Sequence, residues 1–329
     1  MRHRLRKLAS LRLTFAGLVW LVLHSVAISQ WPEQTIPWLV LPLALLALNL
    51  LAAILVNSSF RNQGALLLFH IGLLGIVALV AAGIFVRFDG QVEIIEGQHF
   101  DPALVRIQSA GWLHRDALDA VEFQQGPIEV NYVSGLRRGT THSTLALPDG
   151  KEKTIGDRRI HTSGDYRFKA TFNKGFSLLL LWQGSDGSET LGAVNFPSYP
   201  EFEWKQQNDW TTPAGEPLVL DLVLQTQVSA EQSWTLASHD VDFDVVVRRP
   251  NGETVTLGPG ESLNVDDGRI MNAELRLWMG YRVDYDPFLP WLITAAFLSL
   301  GALAAHVQRK FRPRRSQQPV AAIGQGAKA

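Results

Sequence analysis

The sequence predicts a membrane protein: four transmembrane α-helices, three N-terminal and one C-terminal, with an all-β extracytoplasmic domain between helices three and four. Three observations predict it. Residues 11–28, 37–56, 65–86 and 288–307 are apolar over about 18–22 residues each, enough for a helix to cross a ~30 Å hydrocarbon core. The stretch 87–287, about 200 residues and so the size of one domain or two small ones, breaks into short apolar runs separated by turn residues. The flanks of the outermost spans and the short loops carry their basic residues on one side only.

The first span follows Arg2, Arg4, Arg6 and Lys7. The loop 57–64 between the second and third spans holds Arg61 and no acid, and Arg309, Lys310, Arg312, Arg314 and Arg315 follow the fourth span. The loop 30–36 carries Glu33 and neither Lys nor Arg. Positive-inside asymmetry therefore predicts cytoplasmic termini and an outward-facing central domain. Trp31, Trp38 and Trp291 stand near the outer span ends, where indole rings favour the interface. The alternative for the first segment is a cleaved signal peptide, with Ala27-Ile28-Ser29 as a small-x-small site. Its apolar stretch exceeds the usual ~7–15-residue signal core and contains Trp20 and His24, which argues against cleavage. The segment 308–329 is basic and then polar and small-residue rich, and its end, 317–329, reads as disordered.

In the central domain, strand-like runs occur at 91–95, 128–133, 144–147, 166–172, 176–182, 218–226, 243–248, 253–257 and 273–285. Pro148-Asp149-Gly150 and Pro250-Asn251-Gly252 read as tight hairpins, since Asp-Gly and Asn-Gly tolerate positive φ. Frequent hairpins between short strands predict an antiparallel sandwich or open barrel. The segment 198–215, rich in Trp, Pro and Asn, reads as a long loop. Asp286-Pro287 marks the change from the last strand to the fourth span, because proline disfavours helix at the residue before it.

A net charge of −1 argues against a nucleic-acid partner. The chain has no cysteine, which excludes thiol catalysis, thiolate metal sites, disulfides and a covalent haem-attachment motif. No GxSxG, HExxH, P-loop or GxGxxG motif is present. Asp240, Asp242 and Asp244 alternate as on one face of a strand, which reads as a solvated sheet face before it reads as a cation site; Asp266-Asp267-Gly268 reads as a turn. His99, His114, His142, His161 and His239 are scattered without metal-ligand spacing and read as surface or packed residues. The membrane histidines differ, because an ionisable group inside a span is costly. His70 lies about one and a half turns into the third span. It is a candidate axial ligand for haem iron or a partner in a helix–helix hydrogen bond. His306, in the last turn of the fourth span, and His24, about a turn inside the outer end of the first, are further candidates. Their plainer reading is an interfacial histidine.

Four segments carry a family resemblance: Leu8-Ala9-Ser10-Leu11-Arg12-Leu13-Thr14, Phe69-His70-Ile71-Gly72-Leu73-Leu74, Phe88-Asp89-Gly90-Gln91-Val92-Glu93-Ile94-Ile95-Glu96-Gly97, and Met279-Gly280-Tyr281-Arg282-Val283-Asp284-Tyr285-Asp286-Pro287. With the three-plus-one layout, they resemble the ResB/CcsB family of system II cytochrome c synthesis. Two departures stand out: residues 27–37 lack the family's G-T-x-x-P-Q, and Phe288 replaces the glycine after Asp-Pro. The resemblance implies a multi-pass protein of the bacterial inner membrane that works with a ResC/CcsA-type membrane partner. That pair would deliver b-type haem across the membrane for covalent attachment to apocytochrome c, with a thiol-reducing thioredoxin-like protein involved indirectly. This chain would be a non-catalytic subunit of the haem lyase, with His70 one axial ligand and the opposite ligand on the partner. The chain has no Trp-Trp-Asp run and no thiol, so the partner and the apocytochrome would supply those. A membrane-anchored scaffold, whose β-domain docks assembly partners without binding haem, is the alternative.

Overall fold

A computed structural model describes residues 2–31, 35–115, 117–135, 137–196, 206–225 and 231–311. Glu33, Arg312, Arg314, Arg315 and the tail 317–329 lie outside the described residues. The chain divides into two compact units, residues 1–84 with 288–329 and residues 85–287.

The first unit is helical. Four of its helices are long and apolar enough to cross a membrane: α2 (Leu11–Gln30), Ile36–Val56, α5 (Gly64–Val86) and α6 (Leu289–Phe311). The second of these opens with a 3-10 turn, Ile36–Leu39, that carries Pro37, and continues as α3 (Val40–Val56). Short helices α1 (Arg2–Leu8) and α4 (Ser58–Asn62) precede α2 and α5.

Between α1 and α2 the backbone is extended at Ser10, which frees carbonyls next to an apolar span. Asn49, buried in α3, satisfies them. Its Nδ2 donates to Leu8 O at 2.6 Å and Ser10 O at 3.1 Å, and its Oδ1 accepts from Thr14 Oγ1 at 2.7 Å. Gly17 lets α2 approach α3 closely: a Cβ there would stand 2.8 Å from Leu46 Cδ2. Gly72 does the same for α5 against α6, since its Cβ would fall 2.0 Å from Ser299 Oγ. Small residues at helix contacts are the usual means of close packing in membranes.

The second unit is β-sheet with short 3-10 turns, and all its strand pairs are antiparallel. One sheet runs β2 (Arg106–Ala110), β1 (Phe88–Ile95), β15 (Gly268–Tyr285), β7 (Tyr166–Gly184), β6 (His161–Ser163), with β14 (Ser262–Val265) also on β15 and β8 (Glu189–Asn195) also on β7. A second runs β13 (Thr254–Leu257), β12 (Phe243–Arg248), β10 (Pro217–Leu224), β9 (Gln206–Thr211). A third runs β11 (Trp234–Leu236), β3 (Gln124–Val133), β4 (Arg137–Ala146), β5 (Glu152–Gly156). All three contribute to one apolar core, which includes Ile94, Ile128, Phe168, Leu220, Val245 and Met279.

Three expectations change. The runs 166–172 and 176–182 are one 19-residue strand, β7. The break between them is a bulge: Lys174 pairs Met279 and Ala170 pairs Tyr281, so residues 171–173 bow out opposite Gly280. The segment 198–215 is not all loop, because 206–211 form β9; residues 197–205 lie outside the described residues. Asp240, Asp242 and Asp244 do not share a strand face. Asp240 closes a 3-10 turn, Ser238–Asp240, and only Asp244 is in β12. The Asp266-Asp267 turn does join β14 to β15, with Asp267 at φ 56°.

The first and last segments of this unit form a single ladder, from Phe88↔Tyr285 to Ile95↔Trp278. Beyond it, Glu96 is buried and its carboxylate accepts from Ile128 N on β3 at 2.6 Å and Leu277 N on β15 at 3.0 Å. It thus ties two sheets that share no ladder. Gly97 follows at φ +80°, where a Cβ would meet the Arg276 guanidinium at 2.5 Å, so glycine is required. Arg276 Nη1 donates to Glu96 O at 2.7 Å. Close by, Tyr281 OH donates to the buried Gln125 Oε1 at 2.5 Å, and Gln125 Nε2 reaches Ser143 Oγ. Burial pushes the Tyr281 phenol well above its ordinary range, and the Gln125 bond opposes this only in part.

Replacing Glu96 by Ala strips the acceptor from two buried amides. We expect a loss of about 2–5 kcal/mol in the stability of the β unit, read from thermal unfolding of the full-length protein. Glu96→Gln, which retains one accepting oxygen, should lose less. Equal melting of wild type and both variants would contradict the assigned role.

Candidate functional site

His70 sits six residues after the start of α5, a helix whose described residues are otherwise apolar or glycine. It is half-buried, and its ring packs on Phe60 of α4 (centroids 4.3 Å apart, tilted 49°) and edge-on to Phe69 (5.0 Å). Its Nδ1 lies 2.7 Å from Leu66 O, one turn back. A carbonyl oxygen only accepts, so Nδ1 carries the proton. In the neutral ring the lone pair is then on Nε2, which has no hydrogen bond among the described residues. A backbone bond that fixes one nitrogen as donor and leaves the other to ligate is the usual arrangement at metal-binding histidines. Among the described residues the ring thus presents one nitrogen lone pair without a hydrogen-bond partner.

The other two membrane histidines are placed differently. His24 Nε2 donates to Thr35 O at 2.8 Å, tying α2 to the segment before the 3-10 turn. His306 is half-buried on α6 and makes no hydrogen bond among the described residues. No hydrogen bond or ring contact joins His70 to either of them among the described residues.

In the β unit, two histidines form packed structures. His114 donates from Nδ1 to Val86 O at 3.0 Å, and its Nε2 accepts from Tyr166 OH at 3.0 Å. It stacks on Phe88 and meets Tyr285 edge-on, so both its nitrogens are committed. His161 is 4% exposed among Phe123 and Phe168, with neither nitrogen hydrogen-bonded. Burial, with Lys153 assisting, lowers its pKa from 6.5 to about 4.

Lys174 is the one buried ammonium of the described β-unit residues. Burial lowers its pKa to about 8, against the opposing pull of Asp157. Its Nζ donates to Thr141 Oγ1 at 2.5 Å and stands 3.4 Å from Asp157 Oδ1, while Asp157 Oδ2 accepts from Thr141 N. This pins the β7 bulge to β4. A cavity of about 310 Å³ lies beside the bulge, with Gln91, Glu93, Gln98, Arg106, Asn173 and Asn195 among its lining. Asn195 Nδ2 donates to Glu93 Oε2 at 3.1 Å. Sequence reading missed this groove because its side chains come from separate strands and the bulge; the one local sign is Gly280, the flat residue opposite the bulge.

No family model matches the sequence, and neither does any curated protein. Among solved structures, a chain described as Cytochrome c Heme Lyase CcmF is similar to this one at 13% identity and a TM-score of 0.26. The alignment covers 89% of this chain and 34% of that chain, so this chain spans about a third of its neighbour's length.

The folded state holds His161 neutral, whereas the unfolded chain takes up a proton below pH 6.5. Stability is therefore full above that pH and falls as pH drops from 6.5 to about 4, by about 3 kcal/mol in all. His161→Leu should flatten this part of the profile in chemical unfolding curves measured between pH 7 and 4. An unchanged slope in the variant would contradict the assignment.

Proposed function

We propose that this chain is a subunit of a membrane complex for cytochrome c biogenesis. In this reading it helps to pass haem across the bacterial inner membrane, with a ResC/CcsA-type protein as partner and apocytochrome c as acceptor. Both termini are cytoplasmic and the β unit is outside, in keeping with the basic residues at the cytoplasmic ends of the spans. His70 then lies about 9 Å into the membrane from the cytoplasmic start of α5. The observation that carries the reading is the Nδ1–H···O=C bond to Leu66, which leaves Nε2 as the free lone pair in an apolar span.

Haem would be the cargo, and its iron would be held through the His70 imidazole. What this chain contributes is positional. The Leu66 carbonyl holds the proton on Nδ1, and Phe60 and Phe69 limit rotation of the ring. Within a bilayer, the apolar residues around His70 on its helix would keep water from the ligating atom. The chain has no cysteine, so thioether formation falls to the apocytochrome thiols and the partner. The β unit, carried between two spans, serves as the platform outside the membrane.

The test is the absorption spectrum of the complex purified with its partner, for wild type and His70→Ala. We expect a haem Soret band in the wild type, its loss or marked reduction in the variant, and recovery when imidazole is added as a replacement ligand. Full haem content in His70→Ala would remove the ligand role. No band in wild type with haem supplied would favour a scaffold that binds none.

A further inference from the structure

The loop 111–114 of the β unit is tied directly to the end of a membrane span. Three successive carbonyls, Phe85 O and Val86 O at the end of α5 and Arg87 O just beyond it, lack helical partners. The loop supplies all three. Leu113 N donates to Phe85 O at 2.8 Å, His114 Nδ1 to Val86 O at 3.0 Å, and Gly111 N to Arg87 O at 2.8 Å. The approach is so close that a Cβ on Gly111 would lie 2.2 Å from Phe85 O. The loop is therefore a cap for the helix, fixed at the level of its last turn.

Its two large side chains point away from the cap. Trp112 is 77% exposed and Leu113 52% exposed, and the Trp112 indole meets the Phe85 ring edge-on at 5.6 Å. An exposed Trp-Leu pair is costly in water, and nothing within the described residues covers it. At the end of a span the medium is the interfacial layer of the bilayer, where an indole buries its ring and keeps its N–H hydrated. Arg115, two residues on, is also exposed.

We propose that Trp112 and Leu113 form a foot of the β unit that inserts into the outer-leaflet interface of the lipid bilayer. The occupant of this surface is lipid, because Trp112 touches a residue of the span itself. The foot adds an anchor from the domain to those from the spans. This inference rests on α5 being a span and does not depend on haem.

The absence of cysteine allows single labels without background. Trp112→Cys and Leu113→Cys, each nitroxide-labelled in the full chain and reconstituted in lipid nanodiscs, report depth by collision with oxygen against an aqueous nickel chelate. Phe172→Cys, at the exposed tip of the β7 bulge (74% exposed), is the water-phase reference. Labels at 112 and 113 should show an oxygen-to-nickel ratio severalfold above that at 172. Ratios equal to the reference would overturn the proposal. So would labels shielded from both reagents, which would place a protein surface there instead. Wild-type-like thermal unfolding of each variant confirms that the readout belongs to the folded chain.

Discussion

Because Glu96 accepts from Ile128 N–H on one sheet and Leu277 N–H on another, the positions of β1, β3 and β15 are fixed together. Everything else in the β unit is built on that constraint. β15 carries the longest ladder, with β7, and β1 closes its other side in register from Phe88 to Ile95. Both ends of the domain thus leave from the same strand pair. Ion pairs tighten the pair and its neighbour: Arg282 reaches Asp89 across β1 and β15, and Arg167 and Lys169 reach Asp284 across β7 and β15. A buried carboxylate that accepts only from backbone amides avoids the cost of an unpaired charge by charge-assisted hydrogen bonds.

The same logic governs the helical unit. Asn49 is a buried polar residue that an apolar span tolerates because its amide nitrogen donates to Leu8 and Ser10 and its oxygen accepts from Thr14. His70 differs in one respect. Its Nδ1 is satisfied within its own helix, and Nε2 is left over. That unused acceptor, set in an otherwise apolar helix, is the physical reason for proposing His70 as a ligand to haem.

How much of this could be read from the sequence follows from how local each feature is. The four apolar helices were legible because a bilayer imposes a length and a composition that no soluble helix needs. β1, β3, β10 and β12 were legible from apolar runs, and the hairpins at Gly150 and Gly252 from turn residues at positive φ. The short strands β2, β6, β8, β9, β11 and β14 were not, since they are too short or too polar to show a period. The Asp240–Asp244 alternation misled because spacing by two in the sequence does not require a strand, and a 3-10 turn ends at Asp240. His70 could be singled out by composition alone. Which of its nitrogens is free could not, since that depends on a rotamer set by Leu66 and Phe60. The cap at 111–114 was likewise invisible, because it joins residues 24 to 28 positions apart with no periodic signal.

The functional account turns on that free nitrogen, so the most direct measurement is the tautomer of His70 in the full-length protein. Nitrogen-15 NMR of histidine-labelled protein in nanodiscs, with the His70 signal assigned by its loss in His70→Ala, distinguishes a protonated from a bare ring nitrogen. The account predicts Nδ1 protonated and hydrogen-bonded, with Nε2 bare until haem is supplied and shifted when it is. A ring protonated at Nε2, or an Nε2 signal that haem and the partner leave unmoved, would contradict it.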